Sequence, residues 1–263
     1  MHVTVSMPSW NTPPGLLRLA VGSVLRQEHR DLTLVVSNDG GEPLPDLPSD
    51  SRLVVVEHPT NRGRYVADAA VLAFAEGAFA VHDADDLTHP EHLVRLVAAL
   101  PEGEGVAVGP YLRLDPGRAV PILRPVNRDL LDLRGRRWGH VTHWGAGLYS
   151  VDRMKRAGGI LPAPRVGFDS LHTLLLALTG PVAVVDQPTY TWTRRRGSLT
   201  SARETGFRSA TRERAKRMLM HLHAEAVRAD KEGRPVADVV DRRRTPALRE
   251  AVANATERVR RAL

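Results

Sequence analysis

The sequence predicts an α/β fold with a mostly parallel central sheet and a helical C-terminal tail. Over residues 2–100, short β-rich runs alternate with segments whose apolar residues recur at helical spacing. Strands that alternate with helices in this way pair in parallel, through right-handed crossovers. From about Ala202 the pattern is helical to the end, with an interruption in "KEGRPV".

The first half contains four runs that we interpret as strands: "HVTVSM", "DLTLVVS", "RLVVVEH" and "AFAVH". After the first of them, "PPGLLRLAVGSVLRQ" carries an i, i+4 stripe of Leu, Ala and Val, which predicts a helix packed on the sheet. "RYVADAAVLAFAEG" predicts a second helix, closed by Gly77. Thr88 and Glu91 have the spacing of a capping box, so we expect a third helix to begin there.

The second half has a mixed pattern. "GVAVGPYLRLDPGRAVPIL" predicts two strands around an Asp-Pro-Gly turn, "DSLHTLLLALTG" predicts a helix, and "PVAVVDQPTYTWT" predicts one or two further strands. We therefore expect a main domain over residues 1–201, with halves at 1–104 and 105–201, and a helical C-terminal extension over 202–263.

Composition narrows the class of protein. Hydrophobic residues make up 42% of the chain and charged residues 25%, as is usual for a globular protein, and the absence of cysteine excludes disulfides and thiolate metal sites. No apolar run is long enough to cross a membrane, and the N-terminus lacks the pattern of a signal peptide, so we expect a cytoplasmic protein. The net charge of +7 comes largely from Arg-rich helical runs near the C-terminus, which are typical of solvated helix faces.

The stretch "FAVHDADDLTHPEH" crowds three carboxylates into four positions where an apolar strand ends. Asp83 and Asp85 are two apart in an extended segment, so their side chains leave the same side of the chain. Because ligands of an open parallel sheet bind beyond the carboxyl ends of its strands, the pattern indicates a site for Mg²⁺ or Mn²⁺. The alternative is that the aspartates only stabilise the start of a helix.

Four segments occur in an order and spacing that resemble the family 2 glycosyltransferases: "VTVSMPSWN", "SVLRQEHRDLTLVVSNDGG", "NRGRYVADAAVLAFAEGAFAVHDADDLTHPEHLVRLV" and "GFDSLHTLLLALTG". The resemblance covers roughly residues 2–200. It implies a GT-A fold, a Rossmann-like sandwich, and an inverting transfer of a sugar from a nucleotide-diphosphate donor to an acceptor hydroxyl. It also implies that residues 1–104 are the nucleotide-binding half and residues 105–201 the acceptor-binding half.

On this resemblance, Trp10 is expected to stack on the nucleobase, with a core tryptophan at the helix entry as the alternative. Asp39 is expected to hydrogen-bond the base, with turn capping as the alternative. Arg64 is expected to reach toward the base and the diphosphate. The segment "TWTRRRGSLTS" corresponds to one that folds over the donor in relatives, so the charges of Arg194, Arg195 and Arg196 would neutralise the diphosphate. The residues assigned to donor binding are Pro8, Trp10, Asp39, Arg64, Asp83, Arg194 and Arg196.

The resemblance also implies the metal ligands and the base. Asp83 and Asp85 match the family's Asp-x-Asp motif and would bind Mg²⁺ or Mn²⁺, while Asp86 would support them or cap a helix. Asp169 is the expected general base, with helix N-capping as the alternative, and Phe168 precedes it where the family usually has Glu. His143 resembles a family histidine near the acceptor, and a buried structural histidine is an equal alternative.

The expected donor is a UDP- or dTDP-sugar, and the expected acceptor is a glycan, a lipid-linked sugar, a protein or a small metabolite. Nucleic acid is not an expected partner. The Ala, Val and Leu stripe of the tail leaves open a homodimer or docking on a membrane surface, which would make the protein peripheral. Two other functions stay open. One is a sugar nucleotidyltransferase, although "PSWNTPPG" is a poor match to the Gly-rich N-terminal loop of such enzymes. The other is a non-enzymatic basic protein that binds nucleic acid or a partner.

Overall fold

A computed structural model describes residues 1–101, 105–163 and 165–263. The expected boundary between the halves at residue 104 lies outside the described residues. The strands are β1 (Val3–Ser9), β2 (Leu32–Asp39), β3 (Leu53–His58), β4 (Ala78–Val81), β5 (Leu87–Thr88), β6 (Val106–Val108), β7 (Tyr111–Leu114), β8 (Ile122–Arg124), β9 (Gly147–Ser150), β10 (Ala183–Val184) and β11 (Tyr190–Thr193). The helices are α1 (Pro14–Leu25), α2 (Arg64–Leu72), α3 (His92–Ala99), α4 (Arg128–Asp132), α5 (Val151–Arg156), α6 (Phe168–Leu178), α7 (Ala210–Lys231), α8 (Val236–Asp241) and α9 (Pro246–Ala262).

Seven of the described strands form the main sheet, in the order β10-β6-β9-β4-β1-β2-β3. Strands β4, β1, β2 and β3 run parallel to one another, whereas β9 runs antiparallel to both of its neighbours. The predicted mostly parallel sheet is therefore confirmed. Ser9 lies opposite Asn38, and Asn38 lies opposite Glu57, so β1, β2 and β3 end at one edge of the sheet. The polar residues that follow these strands are consequently neighbours in space.

A second sheet has the order β5-β11-β7-β8 among the described strands. Strands β7 and β8 pair antiparallel, which confirms the two strands predicted around the Asp-Pro-Gly turn. The first part of the same stretch, Val106–Val108, forms the separate strand β6 of the main sheet, which the sequence did not predict. The capping box predicted from Thr88 and Glu91 is wrong. Thr88 is in β5, where it pairs with Tyr190 of β11, and α3 begins only at His92 without a side-chain cap. Thr88 is held in the sheet by its pairing with a strand that lies about a hundred residues later in the chain. The spacing of Thr88 and Glu91 cannot predict so distant a contact.

The helices cover both faces of the main sheet. Helices α1 and α3 bury Leu17 and Leu96 on one face, and the other face is covered by α2, α5, α6 and the tail helices. The tail begins its first helix at Ala210 rather than near Ala202. Its apolar residues Leu222 of α7 and Val259 of α9 are buried in the same core as α2 and α6, so the stripe lies against the chain itself. In the described part of the chain, each helix is too short or too polar for a membrane span.

Candidate functional site

Asp86 is the most enclosed of the three aspartates that follow β4. It is 0% exposed, and its carboxylate accepts the O–H of Tyr190 at 2.6 Å and the N–H of Thr193 at 2.7 Å. Both partners belong to β11, so Asp86 attaches the acidic loop to the second sheet. Burial, together with the charges of Asp83 and Asp85, raises the pKa of Asp86 well above 3.8.

Arg64, the first residue of α2, lies between two carboxylates. Its Nη1 donates to Asp83, and its Nε lies 3.4 Å from Oδ2 of Asp68. Oδ1 of Asp68 accepts the O–H of Ser6 at 2.7 Å. Burial opposes ionisation of both acids. At Asp83 burial is the largest single influence, but Arg64, with help from His143 and His82, outweighs it and holds the pKa below 3.8. At Asp68 burial dominates and raises the pKa to about 6. Arg64 therefore stabilises the ionised form of Asp83 more than that of Asp68.

Asp85 is paired with the middle residue of the arginine triplet. The Nε of Arg195 donates to Oδ2 of Asp85 at 2.5 Å, across 110 residues of sequence. The two arginines assigned to donor binding lie further out: Arg194 is exposed, with its Nη1 3.8 Å from Asp115, and Arg196 is exposed as well. Arg195 is thus the member of the triplet that the fold brings to the acidic loop.

His143 joins two of the aspartates in an arrangement suited to a metal ion. Its Nε2 lies 3.8 Å from Oδ2 of Asp83 and 4.0 Å from Oδ2 of Asp86, and the three ligand atoms all lie within 4.8 Å of one another. Burial lowers the pKa of His143 below 6.5 and so favours the neutral imidazole. Its Nδ1 accepts the N–H of Gly145 at 3.2 Å, so in the neutral ring Nε2 carries the proton and would have to lose it to bind a metal ion. Carboxylates suit both Mg²⁺ and Mn²⁺, so the two aspartates of this group fit the expected ion.

The Asp83–Asp86–His143 cluster differs from the expected metal site, which paired Asp83 with Asp85. The cluster contains Asp86 instead of Asp85, whose carboxylate is paired with Arg195. His143 is held there by ring packing on Tyr190, with ring centroids 4.9 Å apart and planes inclined by 24°. His143 also has a structural contact, because its Nδ1 accepts the N–H of Gly145 at 3.2 Å and caps the turn that follows it.

Asp169 lies in the first turn of α6, as predicted, and Oδ1 of its carboxylate accepts the O–H of Tyr65 at 3.3 Å. Tyr65 follows Arg64 directly in α2. The hydrogen bonds of these two residues therefore connect Asp169, on one side, with Asp83, on the other. The negative charge of Asp169 also acts on His143, where it opposes the lowering of the histidine pKa by burial. Arg64 and His143 therefore lie against Asp83, and Asp169 is connected to this cluster through Tyr65, the residue that follows Arg64.

The residues expected to bind the nucleobase lie at the neighbouring edge of the sheet. Trp10 follows β1 and is 51% exposed, so it is not a core tryptophan. Pro8 pairs with Ser37 across β1 and β2. Asp39, at the end of β2, is buried and accepts the N–H of Arg62 at 2.9 Å and the N–H of Gly63 at 2.8 Å. Asp39 thereby holds the loop that leads into Arg64. The alternative expected from the sequence was that Asp39 caps its own turn, and these hydrogen bonds join it to a different loop.

Several site residues were not found by sequence reasoning. Tyr65, Tyr190 and the pairing of Arg195 with Asp85 depend on contacts between residues 104 to 110 positions apart, for which a single sequence has no local signal. Asp86 was identified only as a supporting residue. Its place directly after Asp85 was the available signal, because three like charges within four positions repel one another unless a partner compensates them.

Comparison with known proteins identifies the family. Residues 4–151, more than half of the chain, match the family model of glycosyl transferase family 2. A search of the curated proteins finds no match.

Solved structures share the fold at low sequence identity. The crystal structure of S. aureus TarS residues 1–349 in complex with UDP-GlcNAc is 16% identical, with a TM-score of 0.60 over 97% of this chain and 79% of that one. The mannosyltransferase PcManGT from Pyrobaculum calidifontis, in complex with GDP-Man and Mn²⁺, is 17% identical, with a TM-score of 0.53 over 99% and 74% of the two chains. This chain covers 42% of a longer TarS structure.

Proposed function

This chain belongs to glycosyl transferase family 2, and from that premise we propose that it is an inverting, metal-dependent enzyme that moves a sugar from a nucleotide-diphosphate donor to an acceptor hydroxyl. The observation that supports this reaction is the connected cluster at the sheet edge. In it, Asp83 lies on the side of the acidic loop and Asp169 lies at the start of α6, with Arg64 and Tyr65 between them. A donor diphosphate and an acceptor hydroxyl need such groups on opposite sides of the reacting carbon.

The proposed donor is a UDP- or dTDP-sugar. Trp10 is exposed at the carboxyl edge of β1, where its indole is free to stack on a base, and Pro8 and Asp39 border the same place. The diphosphate would then lie toward Arg64 and Asp83, with Arg194 and Arg196 able to approach from the segment after β11. Structures of the same fold were solved with UDP-GlcNAc and with GDP-Man, so a test of the donor should include guanine as well as uracil and thymine.

Mg²⁺ or Mn²⁺ would be held by Asp83, Asp86 and His143, with Asp85 as a further ligand once Arg195 releases it. When bound, the ion would supply Lewis-acid stabilisation of the departing diphosphate. Arg64 helps to keep Asp83 ionised before a metal ion binds, because its guanidinium lowers the pKa of that carboxyl. The carboxylate is thus ready to coordinate at neutral pH without first losing a proton.

Asp169 is the proposed general base. Its carboxylate would accept the proton of the acceptor hydroxyl as the hydroxyl oxygen bonds to the anomeric carbon, and the bond from that carbon to the diphosphate oxygen breaks on the opposite face. The nucleoside diphosphate leaves with the bonding electron pair, so the configuration at the carbon inverts. A glycan, a lipid-linked sugar, a protein or a small metabolite can each present such a hydroxyl.

The decisive experiment is Asp169→Asn. Release of nucleoside diphosphate from UDP-, dTDP- and GDP-sugars is measured with water as the acceptor, and binding of the matching nucleoside diphosphate is measured by calorimetry with Mn²⁺. Loss of a general base is expected to lower turnover by about 10²–10⁴-fold and to leave the nucleotide Kd unchanged. Asp152→Asn, an exposed aspartate in the first turn of α5, is the matched control and should turn over normally. Normal turnover by the Asp169 variant would remove Asp169 from the mechanism.

A further inference from the structure

The hydroxyl of Tyr65 makes two hydrogen bonds to the start of α6. It accepts the N–H of Phe168 at 3.1 Å and donates to Oδ1 of Asp169 at 3.3 Å. A phenol offers one donor and can also accept, so both bonds can form at once. Helix α6 begins after Gly167, which has no side chain to satisfy the first free N–H groups of the helix. Tyr65 of α2 therefore supplies a cap that α6 lacks in its own sequence.

The position of this hydroxyl is determined by packing. Tyr65 is only 4% exposed, and its ring packs on Trp144, with centroids 5.9 Å apart, and edge-on against Phe168 at 5.7 Å. Burial, assisted by the charge of Asp169, raises the pKa of Tyr65 above 10, so the phenol stays protonated and remains a donor to the carboxylate. A rigid ring with a permanent O–H can hold a carboxylate in one orientation.

Tyr65 also connects the two sides of the site through the backbone. The preceding residue, Arg64, donates to Asp83, while Tyr65 donates to Asp169. The first turn of α2 thus determines the position of the carboxylate on the metal side and that of the carboxylate on the acceptor side. Relative placement of reacting groups matters strongly, since an error of about 1 Å can cost roughly 10²-fold in rate.

We propose that Tyr65 is the positioning residue for the base: its hydroxyl holds the Asp169 carboxylate at a fixed place relative to Asp83, through the first turn of α2. This inference rests on the proposed role of Asp169. Tyr65 does not take part in proton transfer. It acts by keeping the carboxylate oriented toward the acceptor rather than free to rotate at the end of α6.

The test is Tyr65→Phe, which keeps the ring and its packing and removes only the hydroxyl. With the sugar nucleotide that the unmodified enzyme hydrolyses fastest, kcat should fall about 10- to 100-fold. The KM for that donor and the Kd of its nucleoside diphosphate should stay within about two-fold, because Arg64 and Asp83 are untouched. Tyr149→Phe is the matched control: the O–H of this buried tyrosine donates to the carbonyl of Trp144 at 2.8 Å and not to Asp169, so kcat of that variant should be unchanged.

Crystal structures provide a second readout that requires no turnover. The unmodified protein should show one Asp169 rotamer bonded to Tyr65, and the Tyr65→Phe variant should show this carboxylate in more than one rotamer. Three results would each overturn the inference. They are a normal kcat in Tyr65→Phe, a loss of nucleotide binding in this variant as large as its loss of kcat, and a crystal structure of the unmodified protein without the Tyr65–Asp169 bond. Full activity of Tyr65→Phe beside an inactive Asp169→Asn would reject the positioning role alone, whereas activity of Asp169→Asn would reject the base itself.

Discussion

Replacing Asp68 by Asn tests the electrostatics beneath the site. This carboxyl is fully buried, accepts the O–H of Ser6 and lies 3.4 Å from the Nε of Arg64. Burial raises its pKa from 3.8 to about 6 in the folded chain. A carboxyl that binds its proton more tightly when folded contributes stability that is fully present below pH 3.8 and is lost as the pH rises through 6.

The size of the effect follows from the two pKa values. The difference between 3.8 and about 6 corresponds to roughly 3 kcal/mol. About 2 kcal/mol of this is lost between pH 4.5 and pH 7.5, from the fraction protonated in each state. Asn does not titrate, so the free energy of unfolding of Asp68→Asn, relative to the unmodified protein, should rise by about 2 kcal/mol across that window.

Urea unfolding followed by circular dichroism, at half-unit steps of pH, measures this difference. Asp50→Asn is the control, because hydrogen bonds from Arg52 lower the pKa of Asp50 to about 2 and keep it ionised in both states above pH 4.5. Its stability relative to the unmodified protein should therefore not change with pH. A flat difference for Asp68→Asn, or one that falls as the pH rises, would show that Asp68 is ionised in the fold and that burial does not dominate there.

Three further perturbations test the nucleotide site, the acidic loop and the tail. Trp10→Ala should weaken binding of the nucleoside diphosphate by about 1–3 kcal/mol without changing the melting temperature, and unchanged binding in calorimetry would exclude stacking. Arg195→Ala should tighten Mn²⁺ binding to the nucleotide-free protein by up to about 1 kcal/mol, because Asp85 loses a competing cation; equal titration curves would mean that Asp85 is not a ligand. Leu222→Ala should lower the free energy of unfolding, measured in urea, by about 2–5 kcal/mol, because Leu222 is buried. The control Met220→Ala, at an exposed position of the same helix, should lower it by less than about 0.5 kcal/mol. Similar losses in the two variants would contradict burial of the tail.

Elements with a strong local pattern were predicted well. The parallel strands and the two strands around the Asp-Pro-Gly turn were recognised because apolar periodicity and turn residues act within a few positions. The third helix was also predicted, but its start was placed four residues too early, at Thr88 rather than His92. The capping signal of Thr88 and Glu91 is local, whereas Thr88 pairs with Tyr190 of β11 and is therefore part of a strand. The start of the tail helix was placed early because an Arg-rich stretch can be polar without being helical.

The sequence by itself determined the fold class, the edge of the sheet that carries the site and the chemical types found there, since each of these depends on strand ends and short spacings. Tertiary structure decided which groups act on one another. It placed Arg195 on Asp85, Arg64 between Asp68 and Asp83, His143 beside Asp86, and Tyr65 on Asp169. Charges and hydrogen bonds are strong only within a few ångströms, and residues separated by a hundred positions reach that distance only after the sheets and helices have packed.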